Sequence, residues 1–115
     1  MKNYLVEFIG TFFLVLVIGL SGNPIAIGCI LMVMVYMGGH ISGAHYNPAV
    51  TLAVLIRKKI DQKEAIMYMV SQVAGAFVAA LMVFLTLGDT FAPAPKEGFN
   101  ILKPLFIEGA FTFAL

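Results

Sequence analysis

Long apolar runs alternate with short polar breaks along the chain, and three of the runs have a length suited to crossing a lipid bilayer. They occupy residues 4–21, 24–39 and 65–87. A transmembrane helix needs about 20 mostly apolar residues to cross roughly 30 Å of hydrocarbon. The second run approaches this length only if Pro24 begins its helix and the Gly38-Gly39 pair ends it. The pattern predicts an all-α membrane protein with three transmembrane helices.

A fourth apolar run, residues 49–56, is too short to cross, because eight residues of helix rise only about 12 Å. It follows the polar residues 40–46. Irregular backbone at membrane depth is tolerated only where it is buried in protein or lines a water-filled cavity. We therefore predict a re-entrant element over 40–56, in which 40–46 enters as extended chain and a half-helix starting at Asn47 returns to the same surface. Such an element indicates a channel or a transporter.

The distribution of basic residues favours the re-entrant interpretation. Five of them lie at the N-terminus or after the half-helix: Lys2, Arg57, Lys58, Lys59 and Lys63. A re-entrant half-helix places all five on one side of the membrane, as the positive-inside rule requires, whereas a spanning helix would separate Lys2 from the others. We therefore predict a multi-pass protein of the cell membrane with a cytoplasmic N-terminus. A cleaved signal peptide over the first run is the alternative, but Glu7 interrupts that run and no Ala-x-Ala site follows it.

Composition agrees with a membrane location. The chain is 61% hydrophobic and 11% charged, with a net charge of +1, and its mean hydropathy is +0.98. A soluble domain has a more polar surface than this, so we expect the lipid bilayer as surroundings. No basic cluster points to nucleic acid, and the single cysteine, Cys29, excludes a disulfide framework or a Cys-based metal site. We expect no metal, no cofactor and no enzymatic activity.

A short internal repeat relates the two ends of the chain. The phrase Glu7-x-x-x-Thr11-x-x-Leu14 recurs as E-x-x-x-T-x-x-L beginning at Glu108. Transport folds are commonly built from two related halves, and three membrane crossings between the copies would invert the second half. The fourth span starts at about residue 104, and the sequence stops inside it. We therefore expect a first half of a longer protein, with Glu108 as the counterpart of Glu7.

Four motifs together resemble the N-terminal half of the aquaporin and aquaglyceroporin (major intrinsic protein) family. They are the carboxylate phrase and the segments 39–45 (GHISGAH), 47–51 (NPAVT) and 71–76 (SQVAGA). The resemblance implies a passive channel for water and small neutral solutes, assembled as a homotetramer when full-length. The alternatives are a facilitator for glycerol or another uncharged solute, an ion-coupled transporter, and an incomplete half without transport activity of its own.

The Asn47-Pro48 pair suggests how such a channel would contact its solute. Asparagine is a favoured helix N-cap, and proline suits the first helical position. If the side-chain oxygen of Asn47 caps its own helix, the amide NH2 remains free to donate two hydrogen bonds at the pore centre. The partial positive charge at the helix start disfavours cations there.

The resemblance also assigns pore-lining positions on either side of this cap. It implies that the backbone carbonyls of Gly43, Ala44 and His45 form a row of acceptors along the pore. The imidazole of His45 is expected to be a structural hydrogen-bond donor rather than a proton shuttle. Counting without gaps from Asn47, the second-span constriction falls at Ile27. Ile27 is neither the aromatic residue of water-selective members nor the tryptophan of glycerol facilitators, which indicates an unconventional filter.

A carboxylate within a span is costly unless it is paired, so Glu7 is a candidate functional group. It could couple transport to protons or ions, or it could be a scaffold acceptor for His45 and the unpaired N–H groups of the re-entrant loop. The resemblance favours the scaffold, with assistance from Gln72 on the third span. We assign Thr11 and Pro48 to the same structural support.

Overall fold

The computed structural model describes residues 1–89 together with 102, 105–107 and 109–110. It contains four complete helices: α1 Lys2–Ser21, α2 Pro24–Ser42, α3 Pro48–Ile56 and α4 Gln62–Leu87. The helices α1, α2 and α4 are long and apolar enough to cross a membrane, and the described residues contain no strand. The predicted fold class, an all-α membrane protein with three membrane-spanning helices, is confirmed. Most of the predicted fourth span, including Glu108, lies outside the described residues.

The helix ends follow from local chemistry. Asn23 caps α2 with a side-chain oxygen 2.9 Å from the backbone nitrogen of Ile25, and Asp61 caps α4 with an oxygen 2.7 Å from the nitrogen of Glu64. These side chains satisfy backbone donors that the first helical turn leaves unpaired. The three long helices each end at a glycine with positive φ: Gly22, Gly43 and Gly88.

The predicted limits of the second span need correction. The helix α2 does not end at the Gly38-Gly39 pair but continues to Ser42, so residues 40–42 are helical rather than extended. Glycine inside a helix costs roughly 1 kcal/mol relative to alanine. A glycine is nevertheless needed at position 38 of α2, because the Tyr46 side chain packs where the Cβ of any other residue would lie. The helix ends instead at Gly43, whose φ of 86° suits a residue without a Cβ.

The other predicted limits differ less. The helix α1 begins at Lys2 rather than residue 4, and α4 begins at Gln62 rather than residue 65. Both helices extend into their polar flanks, because charged and polar side chains at a membrane helix end can remain in water. The half-helix is Pro48–Ile56 with Asn47 as its N-cap.

The helix α1 packs against both α2 and α4, and α3 packs against α4. The helices α1 and α4 approach closely at Gly75, where a Cβ would overlap the backbone carbonyl of Phe8. Small residues allow this close packing of helices in lipid, where burial of apolar surface gives little driving force. The helix α1 is therefore the central element of the described fold.

Two hydrogen bonds fix how deep the re-entrant loop reaches. Asn3 on α1 donates to Glu64 on α4 at 3.4 Å, so the N-terminal ends of these two helices lie together. Thr11, near the middle of α1, donates to the carbonyl of Tyr46 at 3.1 Å. At 1.5 Å per residue, Thr11 lies about 14 Å from the start of α1. The loop therefore reaches the middle of the spanning helices immediately before Asn47.

The half-helix α3 returns the chain to the side from which the loop came. Its nine residues rise about 14 Å. Only residues 57–61 then connect it to the start of α4, and that connection reaches at most about 18 Å when extended. The C-terminal end of α3 is thus held near the N-terminal ends of α1 and α4.

Candidate channel constriction

The carboxylate of Glu7 is the centre of a hydrogen-bond network beneath the re-entrant loop. Its side chain is fully buried. One oxygen accepts from the Ser42 hydroxyl at 2.6 Å and from the His45 backbone N–H at 3.0 Å. The other accepts from the Tyr46 backbone N–H at 2.7 Å and from the Gln72 amide at 2.8 Å. Four hydrogen bonds of this kind satisfy the oxygens of a carboxyl group that is buried away from water.

A second group of contacts joins the loop to the half-helix through the hydroxyl of Thr51. That hydroxyl donates to the carbonyl of Asn47 at 3.2 Å and lies 2.9 Å from the Gln72 amide nitrogen. It also lies 3.1 Å from Nδ1 of His45. The Gln72 amide donates to this hydroxyl. The direction of the hydrogen bond between His45 and Thr51 is set by the imidazole tautomer.

The backbone and the ring of His45 therefore have different partners. The backbone N–H of His45 donates to Glu7, whereas the ring nitrogen Nδ1 forms a hydrogen bond with the Thr51 hydroxyl. The ring also packs edge-on against Tyr68, with centroids 5.1 Å apart. The hydroxyl of Tyr68 donates to the carbonyl of Ser42 at 2.9 Å, which satisfies an acceptor at the C-terminal end of α2.

The side chain of Tyr46 fixes the loop between α1 and α2. It is almost fully buried, and its ring and hydroxyl fill the positions that a Cβ would take on Gly10 and Gly38. Its hydroxyl donates to the carbonyl of Met34 at 2.7 Å, while its own carbonyl accepts from Thr11. Tyr46 therefore contacts both helices at the depth of the half-helix start.

Asn47 lies at the exposed edge of this packed loop. Its side-chain oxygen accepts from the backbone N–H of Ala49 at 2.8 Å, and Pro48 occupies the first helical position. Within the part of the chain that the structure describes, the Asn47 amide nitrogen has no acceptor. Its two hydrogens are therefore available at the N-terminal end of α3, where the helix dipole is positive.

The three positions before Tyr46 are not simply extended, contrary to the prediction for 40–46. Gly43 and Ala44 both have positive φ, and so does Tyr46 itself. The turns arise because the Ala44 N–H bonds back to the Ser42 hydroxyl at 3.1 Å, while the next two N–H groups converge on one carboxylate. None of the carbonyls at 43–45 accepts a hydrogen bond from a described residue.

Ile27 is separate from this cluster. It lies half-buried near the start of α2, seven residues before Met34, and thus about 10 Å along the helix axis from the carbonyl that binds Tyr46. Among the described helices, α2 does not pack against α3, the helix that Asn47 caps. Among the described residues, no group of three His, Cys, Asp or Glu side chains could hold a metal ion.

Several residues of the network were not identified from the sequence: Ser42, Tyr46, Thr51 and Tyr68. The only sequence signal for Tyr46 is a glycine inside each of two apolar helices, at Gly10 and Gly38. Nothing in the spacing shows that one aromatic ring fills both gaps. The hydroxyls of Ser42, Thr51 and Tyr68 each have a partner more than 20 residues away in sequence, which no local pattern marks.

These elements define a class of protein. Three spanning helices accompany a half-helix that starts at mid-depth behind a polar loop, which is the arrangement of one repeat of a channel or transporter. The family model described as Major intrinsic protein matches residues 1–115. The chain therefore belongs to the major intrinsic protein family, and the resemblance seen in its motifs is confirmed.

Known members of the family are similar over most of the chain. Glycerol uptake facilitator protein-like 6 of Lactiplantibacillus plantarum is 45% identical across 98% of this chain and 59% of its own length. Aquaporin NIP1-4 of Oryza sativa subsp. japonica is 35% identical across 100% of this chain and 48% of its own length. Aquaporin Z of Rhodopseudomonas palustris is 38% identical across 73% and 41% respectively. The chain spans about half the length of these relatives.

Proposed function

We propose that this chain forms the first half of a passive membrane channel for water and small neutral solutes, with Asn47 donating hydrogen bonds at the pore centre. The observation that carries the proposal is the half-helix cap at mid-depth, with an exposed amide whose hydrogens have no acceptor among described residues. The free carbonyls at 43–45 add acceptors on the approach to that cap. A neutral solute that both donates and accepts hydrogen bonds suits such a surface, whereas a cation meets the positive end of α3.

The proposed role of Glu7 is structural. All four of its hydrogen bonds come from groups that hold the loop against α1 and α4. A carboxylate that left these four donors to contact a transported ion would release the loop in each cycle. This favours passive permeation over proton or ion coupling.

Glycerol or another small polyol is a second candidate solute. Ile27 lies about two turns from the depth of the cap and matches the residue of neither water-selective members nor glycerol facilitators, but it is smaller than an aromatic ring and so favours a wider constriction. A relative named as a glycerol uptake facilitator is also 45% identical to this chain.

We further propose a cell-membrane protein with its N-terminus in the cytoplasm and a homotetrameric full-length form. The support for the orientation is the gathering of basic residues at one end of α1, α3 and α4, in agreement with the positive-inside rule. The tetramer rests on family membership alone. Cross-linking of the complete encoded protein in native membranes measures its subunit number, and a uniform monomer would contradict the tetramer.

The transport proposal is tested with the complete encoded protein in liposomes. Rates of vesicle shrinkage are measured in impermeant-solute and glycerol gradients, and proton flux is followed with an entrapped pH dye. We expect accelerated water or glycerol movement without a proton flux. Proton movement that depends on Glu7 would overturn passive permeation. Water and glycerol rates equal to those of protein-free liposomes would favour a protein without transport activity.

A further inference from the structure

One end of the described molecule carries exposed positive charge that its internal contacts do not use. The five basic side chains at this end, all exposed, are Lys2, Arg57, Lys58, Lys59 and Lys63. We call this set the basic end. The bond between Asn3 and Glu64 joins the starts of α1 and α4, and the short 57–61 connection brings the end of α3 to the same place.

The carboxylates at this end do not neutralise it. Asp61 accepts from the backbone of Glu64 as a helix cap, and Glu64 accepts from Asn3. Within residues 1–89, none of the five basic side chains forms an ion pair with a carboxylate. Five cations thus face two carboxylates that already hold internal hydrogen bonds, leaving a net positive surface.

A cleft of about 360 Å³ lies at the edge of this surface, along the first two turns of α4. It is lined by Gln62 and Lys63 and, one turn further into the membrane-spanning helix, by Ile66 and Met67. Its polar and cationic part is therefore near the helix end, and its apolar part is deeper. This order matches a phospholipid, whose phosphate lies at the interface and whose acyl chains lie below it.

We propose that the basic end binds the headgroups of anionic phospholipids in the surrounding bilayer, with one lipid seated in the α4 cleft. Lys63 contacts its phosphate, and Ile66 and Met67 contact its acyl chains. The tight turn at 57–59 adds further cations to the basic end: the backbone nitrogens of Lys58 and Lys59 bond back to Leu55 and Val54. A soluble anion would use the cations alone, whereas a lipid also uses the apolar part of the cleft.

The experiment compares lipid binding to the complete encoded protein in detergent by native mass spectrometry. The probes are phosphatidylglycerol and phosphatidylcholine with the same acyl chains. Basic residues near a charged membrane surface each contribute on the order of a fivefold change in binding. We therefore expect a preference for phosphatidylglycerol that falls more than tenfold in the double variant Lys58→Gln/Lys59→Gln, and about fivefold in Lys63→Gln.

A matched control removes two charges elsewhere in the sequence, by Lys96→Gln/Lys103→Gln, and should leave the preference unchanged. An equal loss in that control would overturn the assignment to the basic end. A further arm adds inorganic phosphate at constant ionic strength. Displacement of phosphatidylglycerol by inorganic phosphate, or binding that survives Ile66→Gln unchanged, would show an unspecific anion site rather than a lipid site. None of these outcomes depends on which solute the channel conducts.

Discussion

The chain contains two asparagine-proline helix starts, and their surroundings differ completely. Asn23-Pro24 and Asn47-Pro48 are locally alike, since each asparagine oxygen accepts from the backbone N–H two residues later, at 2.9 Å and 2.8 Å. Asn23 follows a turn in which its own N–H bonds only to the nearby hydroxyl of Ser21. Asn47 instead follows a loop anchored on two spanning helices.

The difference shows that the cap chemistry alone does not define the site. Any helix start gains from such a cap, but only Asn47 is held at mid-depth by tertiary contacts. The anchoring residues are Tyr46, whose side chain spans from Gly10 to Met34, and Glu7, which collects the loop N–H groups. Substitutions that remove these anchors should therefore have larger effects than changes at similar residues outside the network.

The largest effect is expected from Glu7→Ala. It leaves four buried donors without their acceptor, and each unsatisfied buried group costs about 1–3 kcal/mol. We expect the yield of folded, monodisperse protein to fall severely. Glu64→Gln is the control, because its single bond to Asn3 lies near the surface and surface polar contacts contribute little. A normal yield of Glu7→Ala would contradict the scaffold role.

A smaller but clear loss is expected from Gly10→Ala. The new methyl group would overlap the ring of Tyr46, which the hydroxyl bond to Met34 holds in place. Overpacking of this kind costs about 1–3 kcal/mol in the free energy of unfolding, measured by denaturant titration in detergent.

The control for this change is Gly28→Ala, where the added methyl group meets no atom within 4 Å. Alanine is the better helix former, so this variant should be unchanged or up to about 1 kcal/mol more stable. Equal stability of the two variants would mean that Tyr46 does not lock the loop against α1.

The smallest loss is expected from Tyr46→Phe, which removes only the hydroxyl bond to Met34. A single hydrogen bond of this kind contributes about 1 kcal/mol to the free energy of unfolding. Tyr36→Phe is the matched control and should show no change, since Tyr36 is 82% exposed. If both substitutions have the same effect, the hydroxyl contact does not stabilise the loop.

The sequence predicts the spanning helices well because their signal is local. Apolar runs, the Asn47-Pro48 cap and a lone carboxylate at Glu7 are each visible without knowledge of distant residues. The end of α2 was misplaced for the opposite reason. A glycine pair usually weakens a helix. Here α2 continues through Gly38, and the absent side chain leaves space that Tyr46 of the following loop fills.

The site itself was only partly predictable. Glu7 and Gln72 stand out as polar groups in apolar helices, so their partnership with the loop could be anticipated. The hydroxyls of Ser42 and Thr51 could not, because both are common in helices and their partners are set by the fold. The same holds for the left-handed backbone at Ala44 and Tyr46, which follows from N–H groups converging on one carboxylate.

The most direct test of the central claim compares Asn47→Ser with Asn23→Ser in the complete encoded protein. Serine keeps an oxygen for the helix cap but removes the amide donors. Solute permeability per folded channel is measured in liposomes. We predict about a fivefold loss for Asn47→Ser, equivalent to one hydrogen bond, and unchanged permeability for Asn23→Ser. Equal permeability in the two variants, at equal folded yield, would contradict a donor role for Asn47 in the pore.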